Sequence, residues 1–263
     1  MLRFSLKAFW KSLWGHKQTE KEIPKDFSVP TKTSTPSQES YKRATASRKS
    51  EDMSAENQLA IFLDKYLYSC FPNKDSFQSI ERVYDKELQL SGVDVRLVDQ
   101  SDRTFNIDEK AQLYYLNKGL PTFAFEIEFL RSGIPTTGWL CNNTLVTDFY
   151  LLIWPYASQD SPKNILWHQF EKAECLSIQK KKLLKVLQDL GLSQKQLAYD
   201  AKRIRDMHQF GKHAIPGISG IYYYASNPQK YSEAPINLVV SKSRLTQIAT
   251  KKYIVTKGGV ACN

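Results

Sequence analysis

Nothing in the 263-residue chain approaches the ~18 consecutive apolar residues that a membrane-spanning helix needs. The longest candidate, Leu145–Trp154, is too short and is interrupted. Cysteine is scarce. Cys70, Cys141, Cys175 and Cys262 are scattered, with no CxxC pair for a zinc ribbon and too few for a disulfide-stapled secreted fold. We therefore expect buried free thiols and a reducing, cytoplasmic compartment. Eleven glycines and eleven prolines are too few for a collagen-like or low-complexity chain. No Gly-X-Ser-X-Gly elbow occurs and no glycine-rich loop precedes a Lys-Ser/Thr pair, which argues against serine hydrolysis and P-loop nucleotide hydrolysis. His208 and His213 lie five apart without thiols or an acidic-His pattern beside them, so no zinc site is expected there.

What the chain does have is apolar material and positive charge. Hydrophobic residues make up 41% and aromatics 12%, enough to bury a core. Of the net charge of +10, residues 1–50 carry +7, from eleven Lys/Arg against four Asp/Glu. That segment suits contact with a polyanion through phosphate neutralisation. Leu2, Leu6, Phe9 and Leu13 fall on one helical stripe among lysines, with Trp10 and Trp14 beside it. A short basic amphipathic helix there would lie on a membrane surface, a protein partner or nucleic acid. Lys7 and Lys11 break the apolar stretch, which fits a cleaved secretory signal poorly, while an organelle presequence is compatible with the composition. From Gln18 to Asp52 the sequence is rich in Ser, Thr, Lys and Pro and cannot bury enough apolar area to offset its ordering entropy. We expect residues 1–52 to be a basic, largely disordered segment and 53–263 to be the folded domain, ending in a helical extension. Deleting residues 1–50 should weaken nucleic-acid binding most at low salt and leave the folded part intact. Unfolding of the truncated protein would show that the segment belongs to the core.

Ser54 reads as an N-cap, followed by helical spacing of Leu59, Phe62, Leu63, Tyr66 and Leu67. Val93–Val98 and Thr104–Gln112 read as a hairpin around the turn residues 99–103. Thr122–Phe129 alternates, with Glu126 and Glu128 on its polar, solvent-facing side. Leu145–Trp154 reads as a fourth strand, in which Asp148 would serve a turn or cap. Pro162 to about His213 reads as helical with a break at Gly191, and it includes the exposed lysine run 180–182. Leu187–Ala198 has the start of a helix-turn-helix, though no recognition helix follows, so a helix pair packed on the sheet is expected. Ile221–Ala225, with its tyrosine run, and Ile236–Val240 read as short strands, followed by a basic helix at Ser241–Thr250. The order indicates an α/β protein.

The chemistry concentrates in the hairpin. Side chains two apart in a strand share a face, so Asp108, Lys110 and Gln112 project together while Ile107, Glu109 and Ala111 point away. Asp94, on the preceding strand, comes near Asp108. Two carboxylates converging with an ammonium make a site for a hard divalent ion that supports attack on a phosphate. Lys110 would orient or deprotonate the water, or stabilise the developing charge, and Gln112 would hydrogen-bond the nucleophile, the lysine or the substrate.

Asp94 followed by Asp108-Glu109-Lys110, with Gln112 in phase, resembles the motif of the PD-(D/E)XK nuclease superfamily, although Val93 stands where the family name has proline. The resemblance covers about Ser54–Leu190. It implies a restriction-endonuclease-like mixed β-sheet flanked by helices, and Mg²⁺-dependent hydrolysis of phosphodiesters, most of all in DNA, with Mn²⁺ as a substitute ion. It also implies Asp94, Asp108 and the backbone carbonyl of Glu109 as metal ligands, and an acidic residue from the first helix, for which Glu56 is the first candidate and Glu81 the second. The alternative is a non-catalytic nucleic-acid-binding or scaffold protein on a nuclease-like fold.

Overall fold

The computed structural model describes residues 54–71 and 74–262. The expectations for residues 1–52 lie outside them. Helix α1 covers residues 54–63, so Ser54 is already helical, and it runs on as a single π-helical turn, Asp64–Tyr68. There follow β1 (Phe77–Arg82), α2 (Lys86–Leu90), β2 (Val95–Asp99), β3 (Thr104–Ala111), β4 (Thr122–Arg131), β5 (Ile134–Thr137), β6 (Phe149–Ala157) and β7 (Phe170–Gln179). Next come α3 (Lys180–Asp189), α4 (Gln194–Asp206), β8 (Gly211–Ile215), β9 (Ile218–Ala225), β10 (Ile236–Ser241), α5 (Lys242–Ile248), β11 (Lys251–Thr256) and β12 (Gly259–Cys262).

The strands form two sheets. Seven lie in the order β1-β2-β3-β6-β7-β11-β12, mixed because β3 and β6 run parallel while their neighbours are antiparallel. Five antiparallel strands, β5-β4-β10-β9-β8, make the second. The crossover joining parallel β3 to β6 carries β4 and β5, so one connection ties both sheets together. Pro155 fits inside β6 because pairing with β3 stops at Ile153, which leaves no ladder bond for the missing N–H to make.

Two cores hold these layers. Leu59, Phe62, Leu63 and Leu67 of α1 pack on Val95, Leu97, Leu151 and Ile153 on one face of the large sheet. On its other face, Tyr150 and Trp154 meet Phe123, Phe125 and Leu238 of the second sheet, joined by Leu183, Leu187, Leu197 and Ile204 of the helix pair. The α/β class is as expected, but the second face of the sheet is covered by another sheet together with helices rather than by helices alone. The helix pair α3–α4 buries its apolar side in that core, and Ser193 caps α4 by accepting the Gln196 N–H at 3.2 Å. Tyr223 and Tyr224 are core residues of β9.

Residues 170–179 correct the helical reading of 162–213. In β7, Ala173 and Cys175 belong to the α1 core while Leu176 and Ile178 belong to the other. A strand buried on both faces loses the polar–apolar alternation that marks strands in sequence. The C-terminal part likewise supplies β8 to β12 to both sheets rather than forming a helical extension. The four cysteines are free thiols, but Cys70 is exposed, contrary to the expectation of burial. Among the described residues no helix is long and apolar enough to cross a membrane.

Candidate functional site

The site forms where β2 enters the large sheet beside β3. Gly92 has a φ of +82°, a left-handed conformation that favours glycine, and a Cβ there would collide with Thr147 Oγ1. The Thr147 hydroxyl donates to the Gly92 carbonyl at 2.8 Å. This turn delivers Asp94 to the strand start. There its N–H donates to the Ile107 carbonyl at 2.8 Å, and its Oδ2 accepts the Glu109 N–H at 2.8 Å. The regular β2–β3 register ends with Val95 paired to Ile107, so Asp94 lies one residue before that pair on its strand and Asp108 one residue after it.

Both carboxylates are buried, Asp94 at 1% and Asp108 at 2% exposure. Lys110 donates to Asp108 Oδ1, and its Nζ sits 5.3 Å from the centre of the Trp139 ring. Asp108 Oδ2 is buried with no hydrogen-bond partner among the described residues. A carboxylate oxygen in that state lacks the compensation that normally offsets desolvation. Gln112, the residue just after β3, donates to the Thr122 carbonyl at 2.8 Å, which ties the site to β4, while its side-chain carbonyl oxygen is buried without a partner among the described residues.

Glu109 points the other way, as the period of two requires. Its carboxylate accepts from Arg82 at 2.9 and 3.1 Å and from the Tyr68 hydroxyl at 2.8 Å. Arg82 also donates to both oxygens of Asp64 at 2.7 Å. The π-helical turn places Asp64 and Tyr68 on this cluster, so helix, edge strand and central strand are linked by one ionic network.

A cavity of about 660 Å³ joins these groups, lined by Asp94, Asp108, Lys110, Gln112, Glu56 and Glu126 among others. Glu56 reaches it from α1, whereas Glu81, the second candidate for an acidic ligand, is exposed on β1 and does not line it. Glu126 corrects the expectation of a solvent-facing carboxylate, because it is only 4% exposed. Residues 138–140 fold over it. A Cβ on Gly138 would come within 2.5 Å of the Glu126 carbonyl oxygen, and the Leu140 N–H donates to that oxygen at 3.0 Å. No local pattern in β4 announces this cover. Glu128 stays partly exposed and pairs with Arg205. Lys180, expected on a solvated face, is also buried and donates to the Leu145 carbonyl at 3.2 Å. Burial lowers its pKa, against the opposing charges of Asp108 and Asp148. Asp148 itself accepts the Asn106 N–H at 2.9 Å, joining β3 to the start of β6.

Burial, helped by the charge of Glu233, pushes the Glu126 carboxyl up to about 8, against Lys110 and the Trp139 N–H, which favour ionisation. The folded protein therefore keeps a proton that the unfolded chain has lost above about pH 4.5. This contribution lowers stability as pH rises from about 4.5 to about 8, with a slope of up to ~1.4 kcal/mol per pH unit. Glu126→Gln should remove that slope and make the protein more stable than wild type at the alkaline end. Urea unfolding of both proteins across this range measures it, and parallel stability curves would show that Glu126 ionises normally.

Among the described residues, no group of three or more His, Cys, Asp or Glu side chains is gathered closely enough to hold a metal ion. Asp94 and Asp108 line the cavity with Lys110, which is paired with Asp108. In comparisons with known proteins, the chain matches no family model, no curated protein and no solved structure.

Proposed function

We propose that the protein is a metal-dependent nuclease that hydrolyses phosphodiester bonds, foremost in DNA, and that it resembles the PD-(D/E)XK enzymes. The observation that carries this reading is the pair of buried carboxylates, Asp94 and Asp108, that line one cavity with Lys110, with Asp108 Oδ2 lacking a hydrogen-bond partner among the described residues. The order of helix, hairpin and further strands supports the resemblance.

The donor set fits a hard ion. Asp94 and Asp108 would hold Mg²⁺ or Mn²⁺ together with the Glu109 backbone carbonyl, because the Glu109 carboxylate is engaged by Arg82 and Tyr68. Mg²⁺ is commonly bound through one or two carboxylates, with water and substrate phosphate filling the other positions. When bound, the ion would neutralise phosphate charge and acidify a water. Lys110 would stabilise charge developing on the phosphate oxygens, and its aromatic neighbour Trp139 restricts where the ammonium can sit. Gln112, fixed through Thr122, lines the same cavity and would hydrogen-bond the nucleophile, the lysine or the substrate. Glu56 is the helix-borne carboxylate placed to add to this set.

Purified protein should cut DNA in Mg²⁺ or Mn²⁺ and be inert in a chelator. Binding without cleavage on duplex DNA, single-stranded DNA and RNA in either ion would favour the second reading, a nucleic-acid-binding scaffold in the same fold. Lys110's ion pair with Asp108 is the feature compatible with that second reading, since it partly neutralises the carboxylate without metal.

A further inference from the structure

We infer that the cavity accepts an unpaired nucleic-acid strand rather than intact duplex, with bases stacking on Tyr84 and Tyr114 at its rim. This deepens the nuclease reading and rests on it. Of the eleven exposed large apolar side chains among the described residues, four (Ile61, Tyr84, Leu90 and Tyr114) line this one cavity. They come from α1, the segment before α2, the end of α2 and the 3₁₀ turn after β3, so four separate elements bring exposed apolar groups to the same cavity. Tyr84 is 78% exposed, more than any other of these eleven. An aromatic ring held in water at the mouth of a carboxylate-floored cavity loses solvation free energy unless something covers it.

A paired duplex does not cover it. The faces of its bases are already stacked and it offers mainly phosphates and groove edges. An unpaired strand exposes base faces, and each face stacked on an aromatic side chain is worth enough to change affinity several-fold or more. Charge points the same way. Besides Glu126, which keeps its proton up to about pH 8, the cavity is lined by five carboxylates against three cationic side chains, so a polyanion entering it is repelled unless charge density is low or a cation intervenes. Duplex DNA carries about one charge per 1.7 Å of axis, roughly twice that of a single strand.

The test is fluorescence anisotropy with the full chain, in a chelator so that no cleavage intervenes. It uses labelled poly-dT and the matching dA·dT duplex, at a salt concentration that suppresses non-specific phosphate contacts. Poly-dT should bind at least about tenfold tighter than the duplex. Tyr84→Ala and Tyr114→Ala should each weaken poly-dT binding by about five- to a hundredfold, with duplex binding unchanged. Tyr84→Phe should bind like wild type, since the ring is what stacks. Tyr84 is largely exposed, so its variants are expected to fold, and a melting curve confirms it. Equal or tighter duplex binding, or alanine variants that bind poly-dT like wild type, overturns the proposal even if the protein cuts DNA. Selective, tyrosine-dependent poly-dT binding supports it even if no ion yields cleavage, in which case it is the nuclease reading that fails.

Discussion

Lys110→Ala is expected to lose cleavage by about a hundred- to a thousandfold while retaining nucleic-acid binding. In the proposed mechanism the ammonium acts on charge that develops only in the transition state, so its removal should weaken the chemical step more than the ground-state complex. Asp108→Ala should lose both cleavage and the affinity for Mg²⁺ or Mn²⁺, because its carboxylate is one of the two side-chain donors we propose. Since Lys110 also neutralises a carboxylate that is only 2% exposed, part of its loss will appear as lowered stability, and Lys110→Met paired with Asp108→Asn separates the two effects. That double variant removes both charges together, so it should fold well and still not cut. Parallel melting, binding and cleavage measurements on the three proteins check this. Undiminished cutting by folded Lys110→Ala would take the lysine out of the mechanism.

Arg82→Ala should cost stability of about 3–5 kcal/mol, the range for removing one partner of a buried ion pair. The Arg82 side chain is 12% exposed and that of Glu109 10%, so the stranded carboxylate has little water to turn to. Asp64 and the hydroxyl of Tyr68 belong to the same cluster, and α1 would lose its polar anchor on the sheet. Lysine should rescue poorly, since one ammonium cannot reproduce a guanidinium fork spanning two carboxylates. Urea unfolding reads the effect as a shift in midpoint. A loss below about 1 kcal/mol would place the network in the class of solvated surface pairs. Because Glu109 lies between Asp108 and Lys110, the same substitution should also lower cleavage in whatever protein remains folded.

Local rules made much of this molecule readable from its residues. The stripe Leu59, Phe62, Leu63, Leu67 gave away the helix, and the hairpin around residues 99–103 followed from its turn composition. The period of two sorted Asp108 and Lys110 from Glu109, which the structure places on opposite faces of β3. Each of these depends on neighbours within a few positions along the chain. The rest depends on distant partners. Residues 170–179 form a strand because both faces are buried, which erases the alternation by which strands are recognised. Glu126 has the sequence context of a solvent-facing carboxylate and becomes buried only when residues 138–140 close over it. Arg82 and Glu109 are 27 residues apart, and nothing in either segment names the other. The sequence alone determined which side chains share a strand face, because backbone geometry sets that locally. Only the tertiary structure decided which faces meet, because sheet order and burial arise from long-range packing.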